Sequence, residues 1–499
     1  MKRWMQPWLL ATVGLAACDD GGGATQTPQD AGPDAVVADA RVPLADAGVR
    51  DTGSAPDVAL PDASPPDGSP PDAAPDAALI PPRPAPPAAG SLTAPRDWRY
   101  ARGLIHMHSV HSHDACDGDP KPDGVPNATC LARFRAALCH NRFDYVLLTD
   151  HPGSFEDIPF EEAFLHMEGD TWVNGPEGTP IANYIQCPDN HRVLLMPGSE
   201  GDLTPVMFTR KPGPGQLRDA SPEGVVALRA SGALVFQAHT ERFTAAELAP
   251  LDLDGIEIYN LHANLDPRGE LRQLPEVLPD LIDWIRLGAA GPHPDLTYLT
   301  IFRENPRALA AFDGLSLDTE LLAFAGSDIH ENLPPLVRPA DGDRIDSYRR
   351  LSSWFSNYVL VPEVTPEALR AALVARRLFV TFDLWGPPDR FDFHAEQPDG
   401  TVLEQGTVAA FAPGTRLKIT PPVVPAGATI QVILWHITPD GPVEISRGSD
   451  AVDLEAPEPG PYRVEVRILP GHLRAELGDS ADRFLREVVW IYSNPVYLR

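Results

Sequence analysis

Histidines gather in one short stretch, "GLIHMHSVHSHDACDGD", which holds His106, His108, His111 and His113 and is followed through Asp114 by further aspartates. Imidazole and carboxylate side chains are the ligands that zinc, iron and manganese take from proteins. His106 and His108 are two residues apart, and on a β-strand residues with this spacing point to the same face. The stretch therefore predicts a metal site to which both imidazoles contribute.

More ligand types follow five later apolar runs, each of which stops abruptly at polar residues: "FDYVLLTDH", "RVLLMPGSEGD", "GALVFQAHTE", "DGIEIYNLH" and "LLAFAGSDIH". The ionisable residues at these ends include His151, Glu200, His239, Glu257, His262, Asp328 and His330. Short apolar runs bounded by turn signals are typical of buried parallel strands. Helical stretches lie between them, among them "CLARFRAALCHNR", "SPEGVVALRASG" and "LPEVLPDLIDWIRLG". This alternation predicts an α/β fold that brings the polar strand ends to one rim.

The motifs and their order resemble the PHP superfamily, named for its polymerase and histidinol phosphatase domains. The resemblance covers residues 100–385 and rests on "HMHSVHSHD", "LLTDH", "LMPGSE", "VFQAH" and "GSDIH". It implies a distorted (β/α)7-type barrel that holds two or three divalent metal ions, with zinc, manganese or iron as candidates. The ligands transferred by this resemblance are His106, His108, Asp114, His151, Glu200, His239, Asp328 and His330.

Two features depart from the family pattern. Many members place the acidic ligand directly after the serine, whereas here His113 occupies that position and Asp114 follows. Either residue could be the ligand, and we favour Asp114. The insertion "CDGDPKPDGVPNATC" beside it is unusual and could remodel the pocket. Glu257 is expected to support a ligand rather than bind metal itself, and His111 is expected either at the surface or facing the substrate.

A cluster of this kind predicts hydrolysis, because metal coordination lowers the pKa of bound water to about 7 and so gives hydroxide at neutral pH. Asp114, His151 and Asp328 are the predicted catalytic residues. The first hypothesis is a phosphoesterase that acts on small phosphate esters, with Arg242 and Arg338 as candidate phosphate contacts. The alternatives are a metallohydrolase of amides, esters or carbamates and a surface-displayed binding module with a structural metal site.

The N-terminal part predicts export. Residues 1–18 combine "MKR", a short apolar stretch and "LAAC", which resembles a bacterial lipoprotein signal peptide with Cys18 as the lipidated residue. Residues 19–97 are rich in Pro, Ala and Asp and predict a disordered tether. We expect an exported bacterial lipoprotein, at the periplasmic face of a membrane or at the cell surface, which contacts the membrane through lipid on Cys18 and acts on a small-molecule substrate. The net charge of −30 argues against nucleic-acid binding, which needs a basic face, and the oligomeric state is left open.

The other four cysteines suggest disulfides, since an even number is expected in an exported protein. They allow three pairings, of which Cys116 with Cys130 is favoured. Residues 98–386 form the predicted hydrolase barrel, with a helix capped by Thr365 near its end. Residues 387–499 show short alternating strands with Pro, Gly and Asp turns, which predict a β-sandwich domain without chemistry of its own.

Overall fold

The computed structural model describes residues 80–261, 263, 292–333 and 341–499. The predicted signal peptide, Cys18, tether residues 19–79, His262, the predicted helix at 274–288 and Arg338 lie outside the described residues. The fold is mixed α/β, with one large sheet and a second sheet of four strands. Within the described ranges, no helix is long and apolar enough to cross a bilayer.

The strands are β1 (Arg99–Ile105), β2 (Tyr145–Leu147), β3 (Thr171–Asn174), β4 (Pro180–Gln186), β5 (Arg192–Met196), β6 (Thr204–Val206), β7 (Leu234–Gln237), β8 (Gly255–Asn260), β9 (Leu322–Gly326), β10 (Ser356–Val361), β11 (Leu378–Thr381), β12 (Asp392–Glu396), β13 (Val402–Glu404), β14 (Val408–Ala409), β15 (Arg416–Thr420), β16 (Thr429–Thr438), β17 (Gly441–Gly448), β18 (Val452–Glu455), β19 (Gly460–Leu469), β20 (Val488–Ser493) and β21 (Val496–Leu498). The described helices are α1 (Ala128–His140), α2 (Pro152–Asp157), α3 (Pro222–Ala230), α4 (Ala245–Leu248), α5 (Pro306–Ser316), α6 (Tyr348–Ser352), α7 (Pro366–Val374), α8 (Arg474–Leu477) and α9 (Ala481–Phe484).

All six apolar runs of the sequence are strands. They lie side by side and parallel in the order β5, β2, β1, β9, β8 and β7, with β1 and β9 in contact only at Ile105 and Gly326. Every residue of β2, β7, β8 and β9 is buried, which explains why these segments are continuously apolar rather than alternating. Because the strands are parallel, their carboxyl ends meet at one edge, and the polar motif residues follow at that edge.

The large sheet continues past the parallel strands into the C-terminal part of the chain. β10 pairs antiparallel with β1 and β11, and β11 pairs antiparallel with β20, where Phe379 lies opposite Ser493. β20 then pairs with β19, and β19 with β16. The second sheet has the order β13, β12, β15, β18, and its Phe393 and Leu417 belong to the same apolar cluster as Val464 of the large sheet. The predicted boundary between residues 386 and 387 is therefore crossed by hydrogen-bonded strands.

Three predicted helices begin where their capping residues place them. The side chain of Asn127 accepts a hydrogen bond from the Cys130 backbone N–H at the start of α1. Ser221 and Thr365 cap α3 and α7 in the same way, and each is followed by a proline at the first helical position. A cap satisfies one of the backbone N–H groups that have no partner inside the helix, and proline has no such group to satisfy.

The favoured disulfide, Cys116–Cys130, is confirmed, and the other two cysteines form Cys139–Cys187. Their sequence separations are 14 and 48 residues. Closing loops of such lengths stabilises a folded chain by about 3–4 kcal/mol each in the chain-entropy account. Cys130 and Cys139 both lie on α1, so the two bonds fix this helix at both ends.

Residues 80–97 differ from the prediction of a disordered tether. Ala89 is fully buried. The guanidinium of Arg83 lies 2.7 Å from Glu476, and that of Arg96 lies 2.6 Å from Asp392 and also contacts Glu404. Proline-rich chain is already extended and loses little entropy when it docks. A few arginine and apolar anchors therefore suffice to order this segment, and composition alone did not reveal them.

Candidate metal centre

The eight predicted ligands lie together at the carboxyl edge of the parallel strands, but the His106–His108 pair is not on a strand. β1 ends at Ile105, and His106 has a left-handed backbone with φ 63°. His239 and Asp328, which follow β7 and β9, have φ values of 49° and 52°. Left-handed backbone costs a residue with a side chain about 1–3 kcal/mol. The sharp turns after three strands, rather than alternation along one strand, are therefore what direct these side chains inward.

Four of the residues form a first group: His106, Glu200, His239 and Asp328 each offer an atom, and these atoms lie within 4.8 Å of one another. The Nε2 atom of His106 is 3.2 Å from Oε2 of Glu200. The Nε2 atom of His239 is 2.9 Å from Oε1 of Glu200 and 3.5 Å from Oδ2 of Asp328. Two imidazoles and two carboxylates therefore surround one point.

Three imidazoles form a second group, with His108, His151 and His330 offering atoms within the same 4.8 Å limit. The rings of His108 and His330 stack with their centroids 3.8 Å apart. Asp114 closes this group, because its Oδ1 lies 3.5 Å from Nε2 of His151 and its Oδ2 lies 3.3 Å from Nε2 of His330. The neighbouring side chain of His113 is exposed. Asp114 therefore lies against the second group, and His113 also lies within reach of Asp114 and His151.

Glu200 and Asp328 lie between the two groups. Oε2 of Glu200 is 3.0 Å from Nε2 of His108 and 3.2 Å from Nε2 of His106. Oδ1 of Asp328 is 3.4 Å from the same two nitrogen atoms. A carboxylate can bridge two cations, which one imidazole nitrogen cannot do. The arrangement therefore suits two neighbouring ions with shared carboxylates.

The opposite nitrogen of each ring contacts a supporting group. Nδ1 of His106 lies 2.7 Å from Oε1 of Glu257, and Nδ1 of His330 lies 3.0 Å from the carbonyl oxygen of Asp328. Oε2 of Glu257 also accepts hydrogen bonds from the His239 backbone N–H and from Asn260. Histidines that bind metal commonly donate their other ring N–H to a carboxylate or carbonyl in this manner. Glu257 thus contacts the ring nitrogen of His106 that faces away from the other ligands. The sequence analysis expected such a supporting role for it.

The residues present fit a divalent metal ion. The Nε2 atoms of His106 and His108 are buried, and among the described residues neither has a hydrogen-bond partner. Buried polar atoms are satisfied in the great majority of proteins, so two such nitrogen atoms facing carboxylates require an explanation. Neutral imidazole and carboxylate together are the donor set of zinc, manganese and iron sites. Binding of a cation would satisfy both nitrogen atoms at once.

The electrostatics of the first group favour positive charge. Burial alone would raise the pKa of Glu200, but the facing imidazoles of His106, His108 and His239 outweigh it and hold that pKa well below its usual range. Burial would likewise lower the pKa of His106, but Glu200, Glu257 and Asp328 raise it well above 6.5. Carboxylates that stabilise protonated imidazole also stabilise a divalent cation at the same place.

His330 of the second group differs from the imidazoles of the first group, because its surroundings favour the neutral ring. Burial, with the neighbouring His108, lowers the pKa of His330 to about 3. Burial would raise the pKa of Asp114, but His151, His330 and His108 hold it below its usual range. A neutral ring can bind metal without first losing a proton, so His330 is already in the binding form.

Several residues of the site were not assigned by the sequence analysis. Glu241 lies 3.5 Å from Nδ1 of His239, and these two form a further close group with Glu257. Asp150, which precedes His151, accepts hydrogen bonds from Ser109 and Ser112. Its position inside the "TDH" motif was the available signal.

His111 is buried, and its Nε2 lies 3.0 Å from the carbonyl oxygen of Glu162, to which it donates. That nitrogen therefore anchors a turn rather than facing a substrate.

No family model and no curated protein matches the chain. Among solved structures, a two-domain protein from Bacteroides vulgatus ATCC 8482, described as containing a predicted PHP-like metal-dependent phosphoesterase, is similar over 80% of this chain and 97% of that chain. The identity is 15% and the TM-score is 0.33. A likeness this distant carries no argument about function. The chemistry proposed below therefore depends on the residues of this chain.

Proposed function

We propose that the protein is a metal-dependent hydrolase of the PHP type, with a distorted (β/α)7-type barrel over residues 98–386 and a β-sandwich over residues 387–499. One observation supports this most directly. Two adjacent groups of imidazole and carboxylate ligands share Glu200 and Asp328, within 3.4 Å of both His106 and His108. A structural metal needs only one closed group of ligands. Adjacent groups suit the paired ions of many hydrolases of phosphate esters and amides.

The chain would hold two or three divalent ions through the eight predicted ligands. Such ions supply Lewis acidity, which polarises the scissile group and acidifies water at neutral pH. The Asp328 carboxylate holds the two groups together, and His151 lies between Asp114 and Glu200. Asp114 has 19% of its side chain exposed, against 2% for Asp328 and 5% for His151. Of the three proposed catalytic residues, Asp114 is therefore the one most accessible to a bound substrate.

A small phosphate ester is the proposed substrate. Arg242 lies on the turn that follows His239, and its Nε is 4.0 Å from Oε1 of Glu241. About half of its side chain is exposed, so its guanidinium is accessible to a ligand close to Glu241, which neighbours His239 of the first group. An accessible guanidinium suits a phosphate group, which it can bind through two parallel hydrogen bonds.

A carbonyl substrate is the second candidate. Glu241 has only 13% of its side chain exposed and lies beside His239, so carboxylates crowd the mouth of the first group. Repulsion between carboxylates and a phosphate dianion disfavours a charged ester and favours a neutral amide, ester or carbamate. Activity towards each class of substrate distinguishes the two candidates.

The proposed function is tested by elemental analysis of the purified protein, followed by assays of phosphate, ester and amide substrates with the metal that it retains. We expect bound zinc, manganese or iron, with hydrolysis that a chelator abolishes and that the same metal restores. The variant His108→Ala removes one imidazole of the second group and should lose both metal and activity. Metal retained without hydrolysis of any tested class would instead support a binding module.

We further propose that the protein is exported and held at a membrane by lipid on Cys18. The two disulfides support an oxidising compartment, since such bonds are rare where thiols are kept reduced. The substitution Cys18→Ala should abolish incorporation of labelled fatty acid and release the protein from membranes. Incorporation that is unchanged in this variant would contradict lipidation of Cys18.

A further inference from the structure

The side of His108 that carries Nδ1 is held by two residues to which the proposed function gives no role. Nδ1 of His108 lies 2.8 Å from Oγ of Ser112, and the same oxygen lies 2.9 Å from Oδ1 of Asp150. All three side chains are at most 2% exposed. Among the described residues, Asp150 belongs to none of the close groups of His, Asp and Glu ligands. We call this chain of hydrogen bonds, from Nδ1 of His108 through Ser112 to Asp150, the relay.

The hydrogen atoms of this relay can be assigned from its donors and acceptors. Oδ1 of Asp150 also accepts from the Ser109 backbone N–H at 2.7 Å, and Oδ2 lies 2.8 Å from the Ser109 hydroxyl. An ionised carboxylate only accepts hydrogen bonds, so both serine hydroxyls must donate to it. The single hydrogen of the Ser112 hydroxyl is thereby used. Its oxygen can then only accept, and it does so from His108 and from the His151 backbone N–H at 3.2 Å.

The ring of His108 must consequently carry its hydrogen on Nδ1. In the neutral ring, Nε2 then has no hydrogen and presents its lone pair, 3.0 Å from Glu200 and 3.4 Å from Asp328. We infer that Asp150, acting through Ser112, is a positioning residue that fixes His108 in the one tautomer able to bind a divalent cation through Nε2. The inference rests on the proposed function, because it requires His108 to be a metal ligand.

The neighbouring histidine is supported differently. Glu257 contacts Nδ1 of His106 directly, without an intervening hydroxyl. For His108 the hydroxyl and the carboxylate are on separate residues, so each can be removed alone. Two effects can therefore be predicted separately. One is the effect of removing the Ser112 oxygen that accepts from His108, and the other is the effect of removing the Asp150 charge that orients the Ser112 hydroxyl.

Asp150→Asn preserves shape and removes the charge. Oδ1 of Asp150 accepts from both the Ser109 backbone N–H and the Ser112 hydroxyl, so the amide oxygen takes that position and the amide nitrogen faces the Ser109 hydroxyl. The Ser112 hydroxyl then donates to a neutral oxygen, which holds the tautomer of His108 more weakly. Ser112→Ala removes the acceptor while keeping the carboxylate, and Ser112→Thr restores a hydroxyl.

Asp313→Asn is the matched control. Asp313 is also a buried carboxylate, and it accepts two hydrogen bonds from Arg463 at 2.8 Å. It lies on α5 and takes no part in the ligand groups. Loss of metal in this variant would measure the effect of general destabilisation alone.

The experiment loads each full-length protein with cadmium alone and labels its histidines with a nitrogen isotope visible to NMR. Competition with a chelator gives the number and affinity of bound ions, and cadmium–nitrogen coupling shows which ring atom of His108 binds. We expect coupling to Nε2 in the wild type and in Ser112→Thr. Ser112→Ala should lose this coupling, and both Ser112→Ala and Asp150→Asn should bind one cadmium about 10- to 100-fold more weakly.

The outcomes separate this inference from the proposed function. If Asp150→Asn and Ser112→Ala match the wild type, or lose no more affinity than Asp313→Asn, the relay has no positioning role. If the wild type itself binds no cadmium, the metal site and the proposed function both fail. If cadmium binds as expected but no substrate is hydrolysed, the positioning role holds and only the hydrolase assignment is lost.

Discussion

Oε1 of Glu257 lies 2.7 Å from Nδ1 of His106, while Nε2 of the same ring lies 3.2 Å from Glu200. The imidazole is therefore held between a supporting carboxylate and a proposed bridging carboxylate. This pair is the starting point for a first prediction, since Glu257 can be changed without removing any proposed ligand.

Glu257→Gln should weaken metal binding by about 10- to 100-fold while the fold is kept. Oε2 of Glu257 accepts hydrogen bonds from the His239 backbone and from Asn260, so an amide nitrogen there would face two donors. The alternative amide orientation would place that nitrogen against His106. Chelator competition measures the affinity, and circular dichroism checks the fold. An affinity equal to that of the wild type would show that Glu257 does not orient the ring.

Gly326→Ala should displace Glu257 and release metal. A methyl group added at Gly326 would lie 1.4 Å from Oε1 of Glu257 and 2.9 Å from Nδ1 of His106. Neither atom can remain in place, because both are buried in close packing. Gly448→Ala is the control, since no atom lies within 4 Å of a methyl group there. Metal content by elemental analysis should fall in the first variant and stay unchanged in the second.

Loss of the Cys116–Cys130 disulfide should lower metal affinity more than loss of Cys139–Cys187. The backbone N–H of Cys116 donates to the carbonyl of His330 at 3.0 Å, and Asp114 is two residues away. Opening this loop therefore loosens two proposed ligands. The double variants Cys116→Ser/Cys130→Ser and Cys139→Ser/Cys187→Ser should both unfold at lower temperature. Only the first should show weaker metal binding at a temperature where both are folded, and equal affinities would contradict the prediction.

Asp170 should stabilise the fold in a pH-dependent manner. Burial would raise its pKa, but Arg135 and the donors of Gln186, Asn183 and Met167 lower it from 3.8 to about 2. The folded state thus favours the charged form, so this stabilisation is present above pH 4 and is lost as the pH falls towards 2. Asp170→Asn should cost about 1 kcal/mol of unfolding free energy at neutral pH and roughly half as much at pH 3. Denaturant titrations at both pH values measure this, and a cost that does not change with pH would contradict it.

The sequence predicted those parts of the site that depend only on the order of residues within a short segment. Polar residues after apolar runs identified the edge where His151, Glu200 and His330 meet, because parallel strands align their ends. The left-handed turn at His106 was not predictable, since it depends on packing around the strand end. The contact of Ser112 with Asp150 joins two loops, and no spacing within either loop indicates it.

Long-range pairing was also beyond the sequence analysis. The strand pattern after residue 387 indicated short alternating strands, but it could not show that β20 pairs with β11. The docking of residues 80–97 depends on single arginines, such as Arg96 against Asp392, within a segment whose composition favours disorder.

The pairing of β11 with β20 limits how the protein can be divided. A chain that stops at residue 386 would leave the carbonyl oxygen of Leu378 and the backbone N–H of Phe382 without their partners Asn494 and Trp490. Open strand edges recruit other chains, so such a fragment is expected to aggregate. Expression trials that aim at residues 98–386 should therefore keep the C-terminal strands attached.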